Sequence, residues 1–190
     1  MTRNIILLAT ILGSSFGCAP MYDHFDIDAK YTEEELVIIR HSLAEWHTAT
    51  GSDSADISTT EGVVIGDGVF TEEDYTDDFG TATMQKVSKS EPGYQAIVEE
   101  FNKDAAGVGR EGQMVITVTD YSYHNGELRA DFFHLVVLHE LGHFFSLSHG
   151  DGLLMSPKPD GVPTCIDQES LDNFCKIHVN CLNPKNTCDE

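Results

Sequence analysis

Leu36, Ile39, Leu43, Trp46 and Ala49 recur at three- and four-residue intervals, the period of a helix with one buried face. Thr32 stands before them with Glu33, Glu34 and Glu35 behind it, so Thr32 and Glu35 form a capping box and the carboxylates sit where the helix dipole favours them. Gly51 ends this helix. Asp56 to Thr59 and Val63 to Ile65 are short β-prone pieces between glycines, read as strands. Tyr94, Ile97, Val98 and Phe101 return to helical spacing after Pro92, with closure expected near Gly107. Met114 to Thr119 is mostly β-branched and predicts a strand, and Asn125-Gly126 predicts a tight turn. Phe132 to Phe145 is apolar nearly all round, which predicts a buried helix with Asp131 as its N-cap.

Composition narrows the partners. The 190 residues carry 11 Lys and Arg against 32 Asp and Glu, a net charge of −21. That excess repels phosphate backbones and argues against a nucleic-acid partner. With 41% apolar residues and no repeat, the chain reads as one globular domain expected to act as a monomer. Glu72 to Asp78 is densely acidic; Ca2+ is conceivable there, but without EF-hand spacing a solvated loop is the better reading.

Residues 1–17 read as an export signal: Arg3, an apolar run from Ile5 to Leu12, then the small residues Gly13, Ser14, Ser15 and Gly17. The run is well short of the roughly 20 residues of a membrane span. Ser15-Phe16-Gly17-Cys18 resembles a bacterial lipobox, which implies lipid attachment at Cys18, plain secretion being the alternative. Membrane association is expected only through that lipid, with 18–31 as a polar tether and 32–190 as the domain. The other four cysteines, Cys165, Cys175, Cys181 and Cys188, form an even set suited to an oxidising compartment; two disulfides are expected, with three connectivities open.

The chemistry is concentrated in His139-Glu140-Leu141-Gly142-His143. Residues four apart share a helix face, so two imidazoles can converge on one zinc ion, with Glu140 beside them placed to reach a water. His149 lies just past the expected helix end, where the chain can return a third nitrogen. Three ligands leave a position open, the pattern of a catalytic rather than a structural site. Bare core histidines explain the segment poorly, because buried imidazoles and a carboxylate cost free energy unless something binds them.

His139 to His149 resembles the metzincin metalloprotease motif, His-Glu-x-x-His-x-x-Gly-x-x-His, and Leu153-Leu154-Met155-Ser156-Pro157 is similar to that family's Met-turn. Trp46, and Asp167 to Ile177 as a last helix with Leu171 and Phe174 on one face, resemble the matrixin branch. The resemblance implies an α+β fold: a twisted, mostly parallel five-stranded sheet, three main helices, and a cleft with zinc at its base and Met155 beneath it. The resemblance does not extend over residues 66–112. Ser146 replaces the motif's glycine at a bend expected to be left-handed, a cost of about 1–2 kcal/mol.

The implied activity is zinc-dependent endopeptidase cleavage of proteins or peptides. Three neutral imidazoles leave the ion's charge intact, so the pKa of bound water falls toward about 7, and Glu140 acts as general base. An extended substrate is expected along an edge strand. Two other functions stay open: a non-catalytic zinc-binding surface lipoprotein, and a zinc amidase acting on cell wall. Glu169 is a rival third ligand of the gluzincin kind, and Asp23, Asp26 or Asp28 could cap the metal from the tether. His24, His41, His47, His124, His134 and His178 read as surface or packing residues.

Overall fold

A computed structural model describes residues 24–51, 56–60, 81–101, 105–110, 114–158, 161–178, 181 and 184–188. The expected signal, Cys18, Asp23, the strand at Val63 to Ile65 and the acidic Glu72 to Asp78 lie outside them.

The described chain opens with β1 (His24–Asp28), which corrects the expected tether over this stretch. Phe25 and Ile27 alternate with polar neighbours and are buried in the core on one face of the sheet, while strands on both edges of β1 pair its backbone. Two apolar residues in five are too few to separate such a strand from an acidic linker by composition. The next element, α1 (Glu33–Thr50), starts in the predicted capping box: Glu35 N donates to Thr32 Oγ1 and Thr32 N donates to Glu35 Oε2. It ends at Gly51, whose φ of 71° is the left-handed geometry a side chain would resist.

β2 (Asp56–Thr60) follows as predicted, and β3 (Thr81–Val87) was not anticipated. α2 (Pro92–Phe101) matches the second helical period, but Gly107 does not close it; Gly107 instead begins β4 (Gly107–Arg110). β5 (Met114–Val118), a short α3 (Thr119–Ser122), and the hairpin of β6 (Tyr123–His124) and β7 (Glu127–Leu128) come next. Asn125 and Gly126 both have positive φ, 53° and 84°, as a tight hairpin turn requires. The last two helices are α4 (Ala130–Phe144) and α5 (Gln168–Ile177). Arg129, not Asp131, occupies the N-cap of α4 and offers no side-chain cap; Asp131 stands one residue inside, where its charge still suits the dipole.

The architecture is mixed α+β with one mainly parallel sheet in the order β2-β1-β3-β5-β4. Neighbours are parallel except at the edge, where β4 runs antiparallel to β5. Alternation along the strands splits the core in two. Phe25, Ile27, Ala82, Met84 and Val115 pack with α1, α4 and α5, whereas Val87, Met114, Ile116 and Val118 pack with Tyr94 and Ile97 of α2. Tyr31 ties the start of α1 across the sheet, its hydroxyl donating to Gln85 O at 2.6 Å and lying 2.8 Å from Thr117 Oγ1. Of the three open connectivities, the structure has Cys165–Cys188 and Cys175–Cys181. The pairs fit an oxidising compartment. Among the described residues no helix is long and apolar enough to cross a membrane.

Candidate metal centre

α4 carries the site, and its burial dictates which of its groups can face a cleft. Leu138 and Leu141 are fully buried, and Trp46 of α1 reaches across to donate its indole N–H to Leu138 O at 3.2 Å. His139 and His143, four residues apart on the remaining face, are half-buried. His149 joins them from beyond the helix, and one ring nitrogen from each of the three lies within 4.8 Å of the others.

The second nitrogens settle how the first ones can act. His139 Nδ1 lies 2.7 Å from Leu154 O, and His143 Nδ1 lies 2.8 Å from Leu147 O. A carbonyl only accepts, so each neutral ring carries its proton on Nδ1 and turns an unprotonated Nε2 to the cleft, the arrangement metal-binding histidines use. His143 Nε2 and His149 Nε2 are 3.2 Å apart. Two nitrogens bound tetrahedrally at about 2.0–2.1 Å would be ~3.4 Å apart, so this pair is spaced for an ion of zinc's size.

The return of the chain to His149 rests on a helix terminus built without its usual glycine. Ser146 N donates to His143 O at 3.0 Å and Leu147 N to Gly142 O at 2.9 Å, a paired closure that puts Ser146 at φ 72°. The left-handed bend is thus present, and the Ser146 hydroxyl is buried without a hydrogen-bond partner. Past His149 the loop closes through Gly150 N donating to Met155 O at 3.1 Å.

Met155 is fully buried against Gly142, between the two helical histidines; a Cβ on Gly142 would lie 2.4 Å from Met155 Sδ. Asp167 braces the same loop. Its carboxylate caps α5 by accepting from Glu169 N and Ser170 N, and accepts from Leu154 N at 2.9 Å. Leu154 O is the group that holds His139, so Asp167 is two steps from the histidine cluster. Burial pushes the Asp167 carboxyl up, but hydrogen bonds from Leu154, Ser170 and Leu153 outweigh this and hold it below its ordinary range.

A cleft of about 530 Å³ opens over the histidines, with β4 along one side and Leu154, Ser156 and Pro157 on the other. Glu140 lines it and is 7% exposed. The sequence reading missed β4. A Cβ on Gly109 would come within 2.0 Å of Glu140 O and one on Gly107 within 2.6 Å of Glu140 Cγ, so the missing side chain at Gly109 lets β4 lie against the α4 backbone and the one at Gly107 leaves room for the Glu140 side chain. The Gly107-x-Gly109 alternation was the available signal, but glycines usually argue against a strand.

Glu169 stands exposed on the first turn of α5, outside the histidine group. Asp26 and Asp28 belong to β1, and the Asp28 carboxylate accepts from the backbone amides of Lys30 and Lys86. None of these three joins the cluster. Among the residues read as surface or packing, His47 is buried in α1 and His178 Nε2 lies 2.8 Å from Phe145 O. No protein-family model matches the chain, and no curated protein matches it in sequence.

Proposed function

We propose that the chain is a zinc-dependent endopeptidase of the metzincin kind, matrixin-like in its helices, that hydrolyses peptide bonds in proteins. The observation that carries this is the convergence of His139, His143 and His149, two of them fixed by carbonyls at Nδ1, beside Glu140 at the base of an open cleft. Met155 under Gly142 supports the Met-turn reading. A bound zinc would polarise the scissile carbonyl and lower the pKa of water in the cleft.

Glu140 accepts a proton from the attacking water and delivers it to the departing amine. Its low exposure keeps competing water from the carboxylate. β4 binds the substrate: as the antiparallel edge of the sheet it offers a peptide an added-strand register, and its glycines hold that register close to Glu140. The two disulfides support an exported protein, and Cys18 is the proposed site of the lipid that holds it to a bacterial membrane.

The test is metal content together with casein cleavage by the purified chain from Cys18 onward, with and without a chelator, beside Glu140→Gln. Chelator-sensitive cleavage is expected, and Glu140→Gln should retain zinc while losing about 10²–10⁴-fold in rate. Unchanged cleavage by Glu140→Gln would remove the assigned base, and a chain that takes up no zinc would end the reading.

A further inference from the structure

On the far side of α4 from the cleft, a second group of ligand-type side chains meets. His41 and Glu45 are four apart on α1, and His134 of α4 packs against them with its ring centroid 5.0 Å from that of His41. His134 Nε2 is 3.2 Å from Glu45 Oε2, and His41 Nε2 is 3.9 Å from the same oxygen. We propose that His41, Glu45 and His134 form a second site for a divalent transition metal of the zinc class, clamping α1, α4 and the C-terminal segment at Thr187 together.

Three observations support it. His134 Nε2 is buried and has no hydrogen-bond partner: it is near Glu45 but not aligned for a bond, an unmet cost that a coordinated cation would remove. The two Glu45 oxygens are also differentiated. Oε1 accepts from Thr187 Oγ1, which itself accepts from Ile166 N at 2.8 Å, leaving Oε2 turned to both histidines. Such a support behind a ligand fixes its direction in metal sites. Finally, nitrogen and oxygen ligands of tetrahedral zinc are ~3.4 Å apart, so the His134–Glu45 edge already fits. His41, whose side chain is 67% exposed, has about half an ångström to close and the freedom to do so.

Glu45 is the anionic ligand. The chain's net charge of −21 draws cations to such a site. The partly exposed His41 leaves an entry path, and a fourth position remains for water.

The test is zinc binding to the full chain at neutral pH by equilibrium dialysis and elemental analysis. The wild type is compared with His41→Ala, Glu45→Gln and the double variant His139→Ala/His143→Ala, with circular dichroism as the folding control. Two zinc ions per wild-type chain are expected. His41→Ala, at an exposed position, should weaken one of them at least tenfold with cleavage unchanged, and Glu45→Gln should do the same while keeping the Thr187 contact. The double variant should retain one ion, whose addition raises its Tm. Failure of the cleft reading would instead leave the double variant with the wild-type count, so the two sites fail separately. Zinc binding unaltered in both His41→Ala and Glu45→Gln, or a folded double variant that binds none, would overturn the second site.

Discussion

Gly109→Ala probes the contact on which the cleft depends. The new Cβ would sit 2.0 Å from Glu140 O and 2.8 Å from His143 Cβ, and ordinary contact begins near 3.4 Å, so β4 must retreat from α4 by about 1.4 Å. Neither obstacle can swing away, because one is helix backbone and the other is the root of a half-buried side chain. Overpacking of this kind costs about 1–3 kcal/mol, which for a domain of this size lowers Tm by about 2–12 °C. An ångström of misplacement at a reacting site costs on the order of 10²-fold, and cleavage should fall by at least that much. Gly107→Ala is the paired control. Its Cβ meets Glu140 Cγ, Cδ and Oε1, side-chain atoms and not backbone, so the Glu140 side chain should shift and the strand stay. Cleavage should then fall more than tenfold with Tm within about 2 °C of wild type. Thermal unfolding by circular dichroism and casein cleavage are measured on both variants. Wild-type Tm and rate in Gly109→Ala, or a larger loss of Tm in Gly107→Ala than in Gly109→Ala, would refute the argument that backbone contact sets the position of β4.

Asp167 has a depressed pKa, so its contribution to stability is complete above its unfolded value of 3.8 and is lost as the pH falls through the lower folded value. Asp167→Asn should therefore lie below wild type in Tm at pH 7 and converge on it in acid; a gap that stays constant down to pH 2.5 would count against the brace. The Cys165–Cys188 bridge spans 23 positions and Cys175–Cys181 spans 6, so chain entropy assigns them about 3 and about 2 kcal/mol. Replacing the first pair by serine should cost the larger Tm shift, and the reverse order in thermal unfolding would contradict this. Ser146→Gly removes both a left-handed side chain and a buried hydroxyl without a partner, and should stabilise the fold by about 1 kcal/mol in denaturant titration. A loss of stability would show that Ser146 has a role not accounted for by its backbone.

What was legible in the sequence is what local physics decides. The capping box at Thr32, the αL stop at Gly51, the Asn125-Gly126 turn and the four-residue spacing of His139 and His143 each follow from bonds and angles within a few residues. The left-handed bend at Ser146 was expected only through the motif that His139 to His149 resembles, and the structure has it at φ 72°. Tertiary structure alone decided the rest. β1 and β3 carry too few apolar residues to declare themselves, and they are strands because neighbours supply their hydrogen bonds and cover. β4 is a strand despite its alternating glycines because β5 supplies its hydrogen bonds and α4 packs where side chains would stand, neither of which is visible from the segment by itself. The disulfide pairing, the Asp167 brace and the meeting of His41, Glu45 and His134 join groups distant in sequence, and no local preference specifies which distant groups the packed core will bring together.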